Sequence, residues 1–356
     1  QVEKEEKEAA EKKAEQEAEE AAEISNVVIA EPLLELAVNY SKLGEREACE
    51  SYLQQALDMR KRLYKECPVH PLVAQVQYHQ AERSRLRGDY DEAYRYLASS
   101  HSDESRRYAI RCSYQRDSGP DFLKKLDEYI ATGSVDPVLG SLIACAKQKY
   151  GVEKQNPFCS NPQNYVVHSN LSASMSFKDA FIEPFHEALE DCMQSTRRQV
   201  LLTNGIQTSG NIFSHKFFRR AGIEDVVRSE IEKYRARFSE NTEGLFKQWP
   251  SNYELSGWLI AMKSGGKLSS HMHPDGWVSG SIYVNVPSLS GSEDGKLVLS
   301  NFDREGGSTT HYADDRIIDV CTGSMCIFPS SMYHYTIPFE STEKRLVFAF
   351  DVIPKS

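Results

Sequence analysis

At 356 residues, with 40% hydrophobic and 10% aromatic content, the chain has the length and apolar surface for two cores. A formal net charge of −10 excludes an extended surface for nucleic acid or anionic lipid, which would need clustered Lys and Arg. No apolar run approaches the roughly 20 residues that span a bilayer, the acidic start lacks the basic-then-apolar pattern of a secretion signal, and the eight Cys are scattered without a CxxC pair. The expectation is a soluble, cytoplasmic protein with free thiols, no membrane segment and no nucleic-acid partner.

Residues 1–24 carry ten Glu against four Lys, which is −6 of the total charge. Glu, Ala, Lys and Gln in this mixture favour solvated helix through i,i+4 pairs but offer little to bury, so the segment reads as a charged helical or disordered extension.

Residues 25–155 are helical in pattern and partly repetitive. Aligning Gly44 with Gly88 sets SKLGEREACESYLQQAL against SRLRGDYDEAYRYLASS at a period of 44 residues, with Ala37 over Ala81, Cys49 over Ala93 and Leu53 over Leu97, and with Tyr52 and Tyr96 beside them. Gly closing one helix and small residues seating the next resembles tetratricopeptide repeats, in the long-helix form of kinesin light chain with its His-Pro turn, here His70 and Pro71. A degenerate third copy would run from Asp121 to Tyr150. The resemblance implies a short all-α solenoid that holds a protein partner or buttresses the next domain.

The stretch QNPFCSNPQ, residues 155–163, has loop composition and marks a boundary. The second domain is expected over 156–356, with helical support in 165–250, including helices over Phe177–Ser195 and Ile223–Phe238, and a β core over 253–356. WLIAMK, KLSSHMH, SGSIYVNV, GKLVLSNF, RIIDVC, SMCIFPS, HYTIPF and RLVFAFDVI are eight strand candidates at regular spacing, which fits a jelly-roll. The fold class is therefore α+β and multidomain, a short helical solenoid followed by a jelly-roll or double-stranded β-helix with supporting helices.

The chemistry concentrates in HMHPDGWVSGSIYVNVP. Residues two apart in a strand share a face, so His271 and His273 can point into a barrel mouth together. His334 lies 63 residues later in FPSSMYHYTIPF. Two ligands at one strand end and one from a distant strand is how a facial metal site with open positions is assembled. Arg345 follows eleven residues after His334, and strand alternation groups it with Val347 and Ala349 rather than with Leu346, Phe348 and Phe350. A lone Arg among apolar residues needs an anion, either the distal carboxylate of 2-oxoglutarate or a salt bridge to Asp351 or a nearby Glu. No phosphate-cradling Gly loop, GxSxG elbow or HExxH is present.

QTSGNIF, SGGKLSSHMHPDGWVSGSIYVNVP, GSMCIFPSSMYHYTIPF and KRLVFAFDV, in this order across Gln207–Pro354, resemble the 2-oxoglutarate/Fe(II) oxygenases that are often fused to tetratricopeptide repeats. The resemblance implies a dioxygenase of the hydroxylase type that uses Fe(II), 2-oxoglutarate and O2 on a small-molecule, amino-acid or peptide substrate. It implies that His271 and His334 bind iron and that Arg345 anchors 2-oxoglutarate, with Tyr283 a second donor to that carboxylate. Many such enzymes use His-x-Asp. Here two registers compete, His271 with His273 or His273 with Asp275, and the first is preferred because SGGKLSSH resembles the strand entering the first iron-ligating His. His273 then stands where a carboxylate is usual, which implies a three-His site or one with only two protein ligands, and Asp275 is the alternative ligand, a carboxylate holding a ligand imidazole through its other nitrogen, or a turn residue. Trp258 and Trp277 fit core packing, and Gln207, Thr208 and Asn211 fit loop shaping. Two rival readings are a three-His dioxygenase that does not use 2-oxoglutarate and a non-catalytic protein joining repeats to a cupin-like module.

Overall fold

The computed structural model describes residues 32–34, 36–37, 46–63, 71–86, 88–98, 103–116, 118–173, 176–192, 196–197, 201–288, 291, 293–303 and 314–355. The extension over 1–24, Gly44 and His70 lie outside the described residues. The chain divides into two compact units, Gln1–Phe122 and Leu123–Ser356. The boundary expected after residue 155 thus falls inside the second unit. Among the described residues no helix is long and apolar enough to cross a membrane.

The first unit contains helices Arg46–Leu63, Pro71–Leu86, Tyr90–Ala98 and Asp103–Gln115. Three pairs aligned by the 44-residue repeat are buried: Ala37 and Ala81, Cys49 and Ala93, Leu53 and Leu97. They fall in two clusters, the first completed by Ala56, Val73 and Val76, the second by Tyr108, Ala109 and Cys112. Gly88 adopts φ +79°, a backbone that side chains rarely tolerate, and the following Asp89 caps the next helix by accepting the Glu92 N–H at 2.9 Å.

In the second unit, helix Pro137–Tyr150 begins at Asp136, whose side chain accepts from the Leu139 N–H at 3.0 Å, and ends at left-handed Gly151. It packs where the expected boundary loop runs. Asn156 donates to the Gly140 carbonyl at 3.0 Å, and Phe158 lies so close that a Cβ on Gly140 would come within 3.2 Å of it. The helix expected over Phe177–Ser195 forms as a π turn, Lys178–Ile182, that continues into Glu183–Cys192, and the next spans Ile223–Arg237.

The strands are β1 Val167–Asn170, β2 Thr196–Arg197, β3 Leu202–Thr208, β4 Tyr253–His271, β5 Val278–Asn285, β6 Leu297–Ser300, β7 Arg316–Ile318, β8 Ser324–Pro329, β9 Tyr333–Phe339 and β10 Arg345–Pro354. They form an antiparallel, nearly closed sheet in the order β1-β8-β5-β10-β4-β9-β6-β7, with β3 also on β4 and β2 on β3, which fits a jelly-roll. Two strands expected separately, WLIAMK and KLSSHMH, are one. β4 pairs β10 through Met262 and β9 from Gly266 onward. The change of partner falls at Gly265, whose φ of +72° lets the chain bend without breaking the ladder.

Period-two alternation sorts β10 between two cores. Leu346, Phe348, Phe350 and Val352 face the helices, where Phe348 meets Phe185, Phe213 and Phe218. Val347 and partly buried Ala349 face the lumen with Ile260, Met262, Tyr283, Cys326 and Phe328. Close packing leaves no room for a side chain at Gly280, where a Cβ would sit 2.2 Å from the Phe350 ring.

Candidate metal centre

His271 is the last residue of β4 and lies directly opposite His334 of β9 in the ladder, so register alone brings these imidazoles together, ring centroids 4.1 Å apart. His273 is placed differently. β4 has ended, and the chain turns through Pro274 and Asp275 to Gly276, whose N–H donates to the His273 carbonyl at 3.3 Å. What returns the His273 ring to the site is Asp351 on β10, which accepts from Nδ1 at 2.6 Å. The ligand atoms of His271, His273 and His334 all lie within 4.8 Å of one another, the one such group among the described residues. Asp275 is exposed on the turn and stands apart from this group.

Hydrogen bonds decide which nitrogen of each ring is available. His271 Nδ1 lies 2.8 Å from the Ser269 carbonyl, which can only accept, so Nδ1 carries the proton and Nε2 keeps its lone pair. The Asp351 carboxylate sets the same tautomer on His273. His334 Nδ1 is buried and finds no hydrogen-bond partner among the described residues. Burial, and then the neighbouring His273, holds His271 down to about 3, and burial with the two other imidazoles holds His334 well below its ordinary value. Neutral imidazoles gathered in this way suit a borderline divalent metal such as Fe(II).

The lumen ends in an unanswered cation. Arg345 is fully buried, and none of its three guanidinium nitrogens meets a hydrogen-bond partner among the described residues. Asp351, the salt-bridge partner considered from sequence, is engaged by His273 and by Ser279, whose hydroxyl donates to it at 2.6 Å. The Tyr283 ring lies 5.0 Å from the Arg345 guanidinium carbon. Burial pushes the Tyr283 hydroxyl up, so it stays protonated and able to donate. A desolvated guanidinium with empty donors fits a carboxylate, which pairs with it through two parallel bonds.

The remaining candidates take supporting places. Trp258 faces the lumen, its ring 5.5 Å from that of His273, whereas Trp277 packs on the helix side and donates to the Leu245 carbonyl at 2.8 Å. Asn211 spans β4 by donating to Leu255 at 2.7 Å and accepting from Gly257 at 3.1 Å. Thr208 accepts from Leu259 at 3.0 Å, and Gln207 is buried on β3. Sequence reasoning missed the connection from Asp351 through Ser279 to Ser330, 2.7 Å further on. Its one trace in the sequence is that Asp351 shares the alternation of Arg345.

Among solved structures the chain is similar to a Pseudomonas putida prolyl-4-hydroxylase, at 13% identity, TM-score 0.36, and coverage of 54% of this chain and 93% of that one. It is also similar to a Trichoplax adhaerens prolyl hydroxylase in complex with a hypoxia inducible factor oxygen degradation domain peptide fragment, at 12% identity, TM-score 0.37 and coverage of 61% and 90%. A third is HygX from Streptomyces hygroscopicus with nickel, 2-oxoglutarate and hygromycin B bound, at 14% identity, TM-score 0.38 and coverage of 53% and 83%. No curated protein sequence matches. Residues 256–351 match the family model described as "Putative 2OG-Fe(II) oxygenase", a span that holds His271, His273, His334, Arg345 and Asp351. The imidazole triad and this match support Fe(II) and 2-oxoglutarate as the metal and cosubstrate of the site.

Proposed function

We propose that the second unit is an Fe(II)- and 2-oxoglutarate-dependent oxygenase that hydroxylates an unactivated C–H bond of a small molecule, an amino acid or a peptide. The observation that carries this reading is Arg345, a buried guanidinium that meets no carboxylate and no hydrogen-bond partner among the described residues, in the same lumen as three converging imidazoles. In the reading, His271, His273 and His334 hold the metal through neutral nitrogens. Arg345 binds the distal carboxylate of the cosubstrate, and Tyr283 donates to it from the neighbouring strand. Fe(II) held there supplies oxygen activation coupled to oxidative decarboxylation of 2-oxoglutarate. Ile260, Met262, Phe328 and Val347 wall the lumen with apolar surface and exclude water from it.

The all-imidazole donor set favours one second reading, a three-His dioxygenase that needs no 2-oxoglutarate. Titration calorimetry of 2-oxoglutarate with Fe(II) under anaerobic conditions separates the two. Losing one member of a desolvated charge pair costs about 2–5 kcal/mol, so Arg345→Ala is expected to weaken 2-oxoglutarate binding by roughly 30-fold or more. Arg345→Lys recovers part of the loss, because it keeps the charge but not the two-pronged geometry. Unchanged affinity in Arg345→Ala would sink the oxygenase reading.

We further propose that the first unit is a short tetratricopeptide-like array able to bind a protein or peptide. The burial of Ala37, Cys49 and Leu53 together with their counterparts 44 residues on supports it. Seven described cysteines, none in a disulfide, support a reducing, cytoplasmic setting.

A further inference from the structure

A metal held by three neutral imidazoles keeps its whole double positive charge, whereas a carboxylate ligand would remove one unit. The missing negative charge is present in this site one hydrogen bond away. Asp351 lies at the lumen face of β10, beside Ser279 of β5 in register, and its Oδ1 accepts from His273 Nδ1 and from Ser279 Oγ, each at 2.6 Å. Ser330 Oγ lies 2.7 Å from Ser279 Oγ and extends the network. Asp351 is 7% exposed, and the turn passes over it at Gly276, where a Cβ would fall 2.7 Å from Ser330 Oγ and 3.2 Å from Asp351 Cγ. A shielded carboxylate with donors aimed at one oxygen is oriented for a purpose, and its one imidazole partner among these contacts is the ring that strand geometry does not itself direct to the site.

We propose that Asp351 is a positioning residue that orients His273 and places a negative charge behind it at that corner of the metal centre. Its carboxylate fixes His273 as the Nδ1–H tautomer and aims Nε2 at His271 and His334, as in a carboxylate–histidine–metal arrangement. His273 then does electrostatically what an aspartate ligand in its place would do directly. This rests on the triad of the proposed function being a metal site, but not on 2-oxoglutarate.

The test is anaerobic titration of the full-length chain with Fe(II), and with Co(II) followed by its visible absorption, without 2-oxoglutarate. Asp351→Asn keeps shape but removes the charge, and is expected to weaken metal binding about 10- to 100-fold and to shift the Co(II) bands. Asp351→Glu recovers part of the affinity. Ser279→Ala frees one anchor of the carboxylate, should lose about 3- to 10-fold, and carries the test if the Asp351 variants do not fold. Wild-type affinity and spectrum in folded Asp351→Asn, or in Ser279→Ala where that variant stands in, overturns the proposal, as does a wild-type chain that binds no metal. If metal binding depends on Asp351 while the wild type ignores 2-oxoglutarate, the positioning role stands and the oxygenase reading alone falls.

Discussion

His271 and His334 reach the site by ladder register, His273 by a hydrogen bond from another strand, and these origins imply different sensitivities. His334→Ala removes an imidazole from near the start of β9 and is expected to abolish metal binding while the chain stays folded, checked by metal content after gel filtration and by circular dichroism. His271→Ala is expected to do the same. His273→Ala weakens or retunes the metal, and Asp275→Ala changes affinity least because its side chain points from an exposed turn. Metal content that collapses in Asp275→Ala and survives in His271→Ala would instead support the His273 and Asp275 pair. The sequence allowed both registers, since HMHPD offers the same spacing twice. Backbone hydrogen bonds around Gly276 and the side chain of a residue 78 positions away separate them in space.

At the scale of elements, β10 joins both halves of the protein's chemistry. One face buries Phe348 and Phe350 completely, and the other carries Arg345 and Asp351. Phe348→Ala opens a cavity among four other phenylalanines and is expected to lower stability by about 3–5 kcal/mol in denaturant unfolding. The metal affinity of the folded fraction should be unchanged, since that ring points away from the lumen; a parallel loss of metal would show that the two faces are coupled. Gly280→Ala tests the opposite fault. Its Cβ would overlap the Phe350 ring, and overpacking of this kind costs typically about 1–3 kcal/mol. Alternation in RLVFAFDVI made this two-faced strand readable from the sequence, because period two is a local property of the chain. The continuity of β4 through Ser264–Gly266 was not readable, since a Gly-Gly pair marks a turn as readily as a bend inside a strand, and pairing with β10 and then β9 on one edge and with β3 on the other keeps it extended.

At the scale of the molecule, the extent of the second unit can be measured. Helix Pro137–Tyr150 is anchored through Asn156 and Phe158, and Phe158 in turn accepts the Leu245 N–H at 2.8 Å. A fragment of residues 123–356 is expected to fold cooperatively and bind metal, whereas 156–356 should unfold at lower denaturant because the surface around Phe158 loses its cover. Equal stability of the two fragments would return the boundary to the loop near residue 155. The Pro-rich stretch suggested that loop because composition reports where a chain leaves regular structure, not what then packs upon it. By itself the sequence determined the helical first part with its 44-residue spacing, the strand-rich second part and the face of β10 that carries Arg345, which follow from periodicity, whereas the preference for His271 with His273 over His273 with Asp275 came from the resemblance of SGGKLSSH. Tertiary structure alone decided that β4 is one bent strand, that Arg345 meets no carboxylate among the described residues, and that Asp351 belongs to His273. Each of these depends on which distant strands lie side by side, and a local pattern carries no information about that.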